Sequence, residues 1–275
     1  MNSDPNEPAM SRSKTTAWLK TAIYGLGAAM AVLCSMWVIV SAEHVVPLMP
    51  PAGETIEGHP AFRFAIVGDN QGNMSTFETV LGGIKNKNVD FILHTGDIVK
   101  RPRERRFNWV LHEINEERLG IPVYAVPGNH DILEDADTVS KQYRLYNRAF
   151  GPRRYWFAYG DALFVAFDNA SKQASQDNLE WLDSTLANHR DKYSLCFVYM
   201  HVPPRDPRGK SYSHAMTAGG NQLVEILKKH NVSAVFAGHI HGYLKDNLDG
   251  VPEYITGGAG SDLYEDAGGQ HNYLI

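Results

Sequence analysis

Val123-Tyr124-Ala125-Val126-Pro127-Gly128-Asn129-His130-Asp131 is the stretch whose reading decides the fold. Four apolar residues, two of them β-branched, are too few for a helix and read as a buried strand. Pro127-Gly128 stops the strand, and three polar side chains follow at once. The same pattern recurs upstream. Phe62-Arg63-Phe64-Ala65-Ile66-Val67 runs into Gly68-Asp69-Asn70-Gln71, and Phe91-Ile92-Leu93 is soon followed by Gly96-Asp97. Between these runs the apolar period changes to that of a helix face: Phe77, Val80, Leu81, Ile84, then Phe107, Val110, Leu111, Ile114. Strand, helix, strand, helix, strand is the alternation of an α/β fold.

Downstream, Tyr155–Tyr159 and Ala162–Phe167 flank Gly160-Asp161, a hairpin signal. A helix is expected over 178–189. A strand over Leu195–Met200 ends at His201, a helix is expected over 221–230, and a strand over Ala234–Ala237 ends at Gly238-His239-Ile240-His241.

Five strands therefore end in Asp, Asp, Asn-His, His and His-x-His. In open α/β sheets, ligand groups gather at the carboxyl ends of strands. Any one of these is ordinary alone: a Gly-Asp is usually a turn, and a lone strand-end His is usually surface. The ordered set is hard to obtain by chance. Its oxygen and imidazole donors suit Mn, Fe or Zn, and the lack of thiolates excludes a Cys-type structural zinc site. Seven donors exceed what one catalytic ion needs and suit two divalent ions sharing a carboxylate. Such a pair leaves positive charge to attract a phosphate ester and to acidify water.

The set resembles the calcineurin-like metallophosphoesterases over residues 61 to about 260. Gly128-Asn129-His130-Asp131 and Gly238-His239-Ile240-His241 match that family's motifs fully. The resemblance implies a four-layer β-sandwich flanked by helices and hydrolysis of phosphate esters by a two-metal-activated hydroxide. It implies that Asp69 and His241 bind the first metal, that Asp97 bridges, and that Asn129, His201 and His239 bind the second. His130 corresponds to the family's proton-donating histidine, with Asp131 orienting it. Two positions depart from the pattern. Gln71 stands where the family has His, making a weaker donor to the first metal, and Lys100 replaces an Asp. The contrasting reading is a catalytically inactive binding module with the same fold. Retention of Asp97, Asn129 and His130 speaks for the enzyme.

Composition bounds the rest. The 275 residues are 43% apolar and 21% charged with a net charge of −5, which is ordinary globular chemistry. Thr21 to Ala42 carries no charge, and a helix of that length spans ~33 Å, about one hydrocarbon core. We read residues 1–20 as a cytoplasmic tail, 21–42 as a transmembrane helix or signal anchor, 43–60 as a Pro/Gly linker and 61–275 as the metallophosphoesterase domain. Val40-Ser41-Ala42 keeps open a cleaved signal peptide and a secreted domain. Arg12, Lys14 and Lys20 precede the apolar stretch and no Lys or Arg follows until Arg63, so the domain is expected outside the cytoplasm. With only Asp4 and Glu7 as acids before Glu43, the rest of the chain carries −6 and is a poor partner for nucleic acid. Cys196 is the one cysteine beyond the apolar stretch, so no internal disulfide is expected there.

Weaker features surround the motifs. Lys100–Arg106 reads as a solvated helix start, with anion steering as the alternative. Pro203–Lys210 reads as a rim over the metals, with Arg205 or Arg208 offered to substrate. Trp109, Trp156 and Trp181 are expected in the core. Gly257-Gly258-Ala259-Gly260 lacks the Lys-Ser/Thr of a phosphate loop.

Overall fold

The computed structural model describes residues 46–59, 61–116, 120–209 and 211–275. The apolar stretch 21–42 lies outside them. No helix among the described residues is long and apolar enough to cross a membrane.

Among the described residues, ten strands form two sheets. β2 (Phe64–Val67), β3 (Phe91–His94) and β4 (Val123–Ala125) make a parallel sheet. The second sheet has the order β1 (Glu54–Ile56), β5 (Tyr155–Tyr159), β6 (Ala162–Ala166), β7 (Leu195–Tyr199), β8 (Ala234–Ala237), β10 (Val251–Thr256), β9 (Tyr243–Leu248). It is parallel except for the β5–β6 and β9–β10 pairs.

Side-chain alternation sets the layers. Phe164 and Ala166 of β6 face the smaller sheet and join Ile66, Phe91, Leu93 and Tyr124. Phe91 stacks edge-on at 5.2 Å from Phe164 and 5.7 Å from Phe157. Leu163 and Val165 face the other way, onto α5 (Gln176–His189) and α6 (Gly220–Lys229) through Leu182, Leu186, Leu223 and Leu227. On the far side of the small sheet, α1 (Met74–Lys85) brings Phe77 to 6.1 Å from His94. α1 buries Phe77, Val80, Leu81 and Ile84, and α2 (Glu104–Glu116) buries Phe107, Val110, Leu111 and Ile114, the faces expected from the sequence. The result is helices, sheet, sheet, helices.

Several expectations need correction. Residues 46–59, read as linker, are docked: Leu48 N–H donates to the Ala149 carbonyl, Gly53 N–H donates to Trp156, and β1 pairs with β5. Trp109 is 53% exposed. It lies about 200° around the helix from Phe107, opposite the buried stripe. Trp156 and Trp181 do pack on the helix-side core, half-buried. The helices α3 (Val139–Gln142) and α4 (Arg144–Phe150) and the strand β9 were not expected. Cys196 is a free, buried thiol whose pKa is pushed up to about 12 by burial.

Candidate metal centre

β2, β3, β4, β7 and β8 end along one edge, and their loops converge. One group joins Asp69, Asp97 and His241; the other joins Asp97, His201 and His239. Within each, one ligand atom per residue lies within 4.8 Å of the others. Asp97 belongs to both. Asn129 enters the second group with Oδ1 3.1 Å from His201 Nε2. Gln71 enters the first, its Nε2 3.4 Å from both Asp97 Oδ2 and His241 Nε2. All seven expected ligand residues are thus brought together. Gln71 presents its amide nitrogen, so coordination through Oε1 requires an amide flip, a soft rotation.

The imidazoles are set for metal by what lies behind them. His201 Nδ1 is 2.9 Å from the Thr95 carbonyl and His241 Nδ1 is 2.8 Å from the Asp262 carbonyl. A carbonyl only accepts, so each Nδ1 carries the proton and each Nε2 presents a lone pair. Burial lowers the pKa of His201, His239 and His241, keeping the rings neutral. His201 Nε2 then faces Asp97 Oδ1 at 3.4 Å and Asn129 Oδ1 at 3.1 Å, acceptor toward acceptor. Such a cluster is stable with a cation among its lone pairs. The residues fit divalent ions of the Mn, Fe or Zn type.

The backbone carries the cost of this convergence. Asp69, Gln71, Asp97 and His239 have φ of 62°, 45°, 54° and 65°, in the left-handed region. Asp69 is fully buried. Desolvation first and Asp97 second raise its pKa well above the usual carboxylate range, while its carboxylate accepts the His239 N–H at 3.0 Å. Glycines make room: a Cβ on Gly128 would fall 2.2 Å from Asp97 Oδ1, and one on Gly238 would fall 2.4 Å from Asp69 Oδ2. The 257–260 glycines serve this packing too, since a Cβ on Gly260 would meet the Asn70 carbonyl at 2.7 Å.

His130 stands at the edge of the cluster. Its side chain is 43% exposed, with Nε2 3.9 Å from Asp97 Oδ2 and its N–H donated to Asp97 Oδ1 at 2.8 Å. Asp131 does not orient the His130 ring. Its buried carboxylate accepts N–H bonds from Ile98, Val99 and Gly128 at 2.9–3.1 Å, tying the Asp97 loop to the Asn129 loop. Burial, reinforced by Asp97, pushes its pKa up to about 8. Arg205 pairs bidentately with Asp249, and Arg208 pairs with Asp206 and Asp266, so both rim arginines are engaged within the chain.

Supporting residues absent from the sequence reading stand behind the ligands. His94, buried and shifted down to about 3 by desolvation, bridges the Asn70 side chain and the Gly96 N–H. Asn169 Oδ1 accepts from the N–H groups of His201 and Val202 at 3.1 Å. Asp168-Asn169 follows β6, and the strand-end signal used for the ligands would have found it. Tyr264 stacks on His241 at 4.9 Å, a contact with no sequence signal.

Residues 62–243 match the family model described as calcineurin-like phosphoesterase. The chain belongs to that family. It is 24% identical over 183 residues to a probable cyclic nucleotide phosphodiesterase of Fibrobacter succinogenes, covering 66% of this chain and 68% of that protein. It is 26% identical over 192 residues to the 3',5'-cyclic adenosine monophosphate phosphodiesterase CpdA of Haemophilus influenzae, covering 66% of each. A probable glycerophosphodiester phosphodiesterase of Arcobacter nitrofigilis matches over 55% of this chain and 56% of its own, at 24% identity. The chain thus spans between about half and two thirds of these relatives. Among solved structures, purple acid phosphatase PPD1 of yellow lupin superposes with a TM-score of 0.62 at 17% identity, over 78% of this chain and 47% of that one. A dimetal phosphatase of Danio rerio gives 0.55 at 16% identity, over 72% and 87%. These likenesses establish the metallophosphoesterase fold, a mixed sheet with helices, and the family is a metal-dependent one.

Proposed function

We propose that this protein hydrolyses phosphate esters, phosphodiesters foremost, at a dinuclear metal centre. The observation that carries the reading is the sharing of Asp97 between two adjacent ligand groups. Asp69, Gln71 and His241 hold the first ion with Asp97; Asn129, His201 and His239 hold the second with it. Divalent ions there supply Lewis-acid charge and an acidified water.

The chain's own residues do the remainder. Thr95 and Asp262 hold the His201 and His241 rings with Nε2 inward. Asp131 holds the two loops in register. His130, half-exposed beside the shared carboxylate, gives its proton to the leaving oxygen. The names of the sequence relatives support a phosphodiester as the substrate class. The uncharged residues 21–42, with Arg12, Lys14 and Lys20 before them and no Lys or Arg after them until Arg63, support a single-pass anchor and a domain outside the cytoplasm.

The test is hydrolysis of bis(4-nitrophenyl) phosphate and 4-nitrophenyl phosphate after chelation and reloading with Mn, Fe, Zn or Mg. Activity should vanish on chelation and return with two equivalents of a borderline ion. Undiminished activity in protein shown metal-free by elemental analysis refutes the reading. Membrane fractionation and protease access to intact cells test the anchor, and a mature chain beginning at Glu43 would replace it with a cleaved signal.

A further inference from the structure

One cavity, about 820 Å³, opens beside His130 and Asn129. Lys100, Arg101 and Lys172 line it, with Pro102, Ile132 and Leu133 as an apolar shelf. Glu134 and Asp135 complete the wall, both exposed. None of the three cations is in an ion pair among the described residues. The arginines around the rest of the site behave differently: Arg153, Arg154, Arg205 and Arg208 are all paired with aspartates.

Lys172 is the most constrained of the three. It is partly buried, with φ of 61°. Its carbonyl accepts from the Thr217 N–H at 2.8 Å and from Thr217 Oγ1 at 3.0 Å, and its own N–H donates to the Asn169 carbonyl. Asn169 is the residue that fixes the His201 backbone. Lys172 lines the cavity beside Asn129 and His130. A strained backbone thus presents a cation toward a centre built to hold cations. An anion in the cavity would be stabilised by that charge. Lys100, where the family carries an acid, changes the sign of the same wall.

We propose that Lys100, Arg101 and Lys172 form an anion subsite, so that the preferred substrate is a phosphate ester whose leaving portion carries a second anionic group. The inference rests on the phosphoesterase reading for its reaction but not for its binding. Once the scissile phosphate is at the metal centre and the leaving oxygen is beside His130, the leaving portion extends into this cavity. Its apolar part lies on Ile132 and Leu133, and its second anion meets the ammonium and guanidinium groups as charge-assisted hydrogen bonds. The two exposed carboxylates oppose an anion, and the three cations outnumber them, so the wall keeps a net positive charge.

The experiment separates binding from turnover. The full chain in detergent, loaded with Mn, is titrated calorimetrically with benzenephosphonate and 4-carboxybenzenephosphonate, neither of which has a P–O–C bond to break. Rates are measured for methyl phenyl phosphate and methyl 4-carboxyphenyl phosphate. The carboxylated member of each pair should be favoured by about tenfold, less at high salt. The triple variant Lys100→Gln, Arg101→Gln, Lys172→Gln should bring both ratios to about one, while Arg205→Gln, whose partner is Asp249, leaves them as in the wild type. Equal affinity of the wild type for the two phosphonates, or a preference that survives the triple variant, overturns the subsite. A preference in binding without hydrolysis of any ester leaves the subsite standing and overturns the phosphoesterase reading. Hydrolysis without a preference does the reverse.

Discussion

Gly128→Ala isolates the geometry of the shared carboxylate. Gly128 has φ −102° and ψ 177°, extended backbone that alanine adopts without strain. Its N–H bond to Asp131 is retained in the variant. What changes is one methyl group, placed 2.2 Å from Asp97 Oδ1 and 2.3 Å from Asp97 N. Restoring an ordinary contact of about 3.4 Å moves the carboxylate and the loop apart by about 1.2 Å, in a region packed too tightly to absorb it. The His130 N–H bond to Oδ1 stretches with it. Overpacking costs ~1–3 kcal/mol of stability, so the protein should still fold. A displacement of this size at a reacting centre costs ~10²-fold, and here it falls on a ligand common to both groups. We expect Mn affinity and turnover at saturating Mn each to fall by ~10²-fold, read by calorimetry and by diester hydrolysis. Gly82→Ala, in α1 with nothing within 4 Å of the added methyl, is the control and should gain up to ~1 kcal/mol. Wild-type metal affinity and turnover in Gly128→Ala would refute the reasoning, because the shared carboxylate would then not be where the metals bind.

Three further outcomes follow. His130→Ala should lower turnover by ~10²–10⁴-fold with metal content intact, whereas Asp97→Ala should lose metal and activity together; a metal-free His130→Ala protein would make His130 a ligand. Gln71→His should lower the metal concentration for half-activation and Gln71→Ala should raise it, and three superimposed titration curves would remove Gln71 from the ligand set. Glu253, buried in β10 with neither carboxylate oxygen hydrogen-bonded, has its pKa raised well above the ordinary value by burial and then by Asp246. The folded chain keeps a proton there that the unfolded chain releases, so this group's stabilisation is lost as pH rises from near 4.5 toward the folded pKa. Glu253→Met should therefore raise the urea midpoint more at pH 8 than at pH 5, and an equal change at both would contradict this.

The ligand loops were legible because chemistry and local structure coincide there: an apolar run must stop, and it stops on Asp, Asn or His. The supports were less legible because their signals are weaker or absent. β1 has three residues, two of them exposed, and β9 carries Lys245, Asp246 and Asn247 on a sheet edge, so neither shows the apolar run that marked the inner strands. Trp109 was misplaced by residue type alone, although the 3.6 period of its own helix puts it opposite Phe107. The role given to Asp131 came from the motif. Which donors a buried carboxylate accepts depends on how the Ile98-Val99 and Gly128 amides are turned, and tertiary packing decides that.

Backbone strain ties these supports to the site. Of the eight non-glycine residues with left-handed φ among the described residues, four are candidate ligands. Each such residue costs of order 1 kcal/mol or more, against a net stability of roughly 5–15 kcal/mol for a whole domain. Strain on that scale persists only where neighbours over-determine it. Here the loops determine one another. The Asp69 N–H donates to the Gly96 carbonyl, the Gln71 N–H donates to the Asp97 carbonyl, and the Asp69 carbonyl accepts from the Ser261 N–H and Oγ–H. The His239 N–H closes the circuit on the Asp69 carboxylate. A ligand set braced in this way behaves as one body. A change at any loop should therefore be felt at both metal groups, even where the altered residue touches only one.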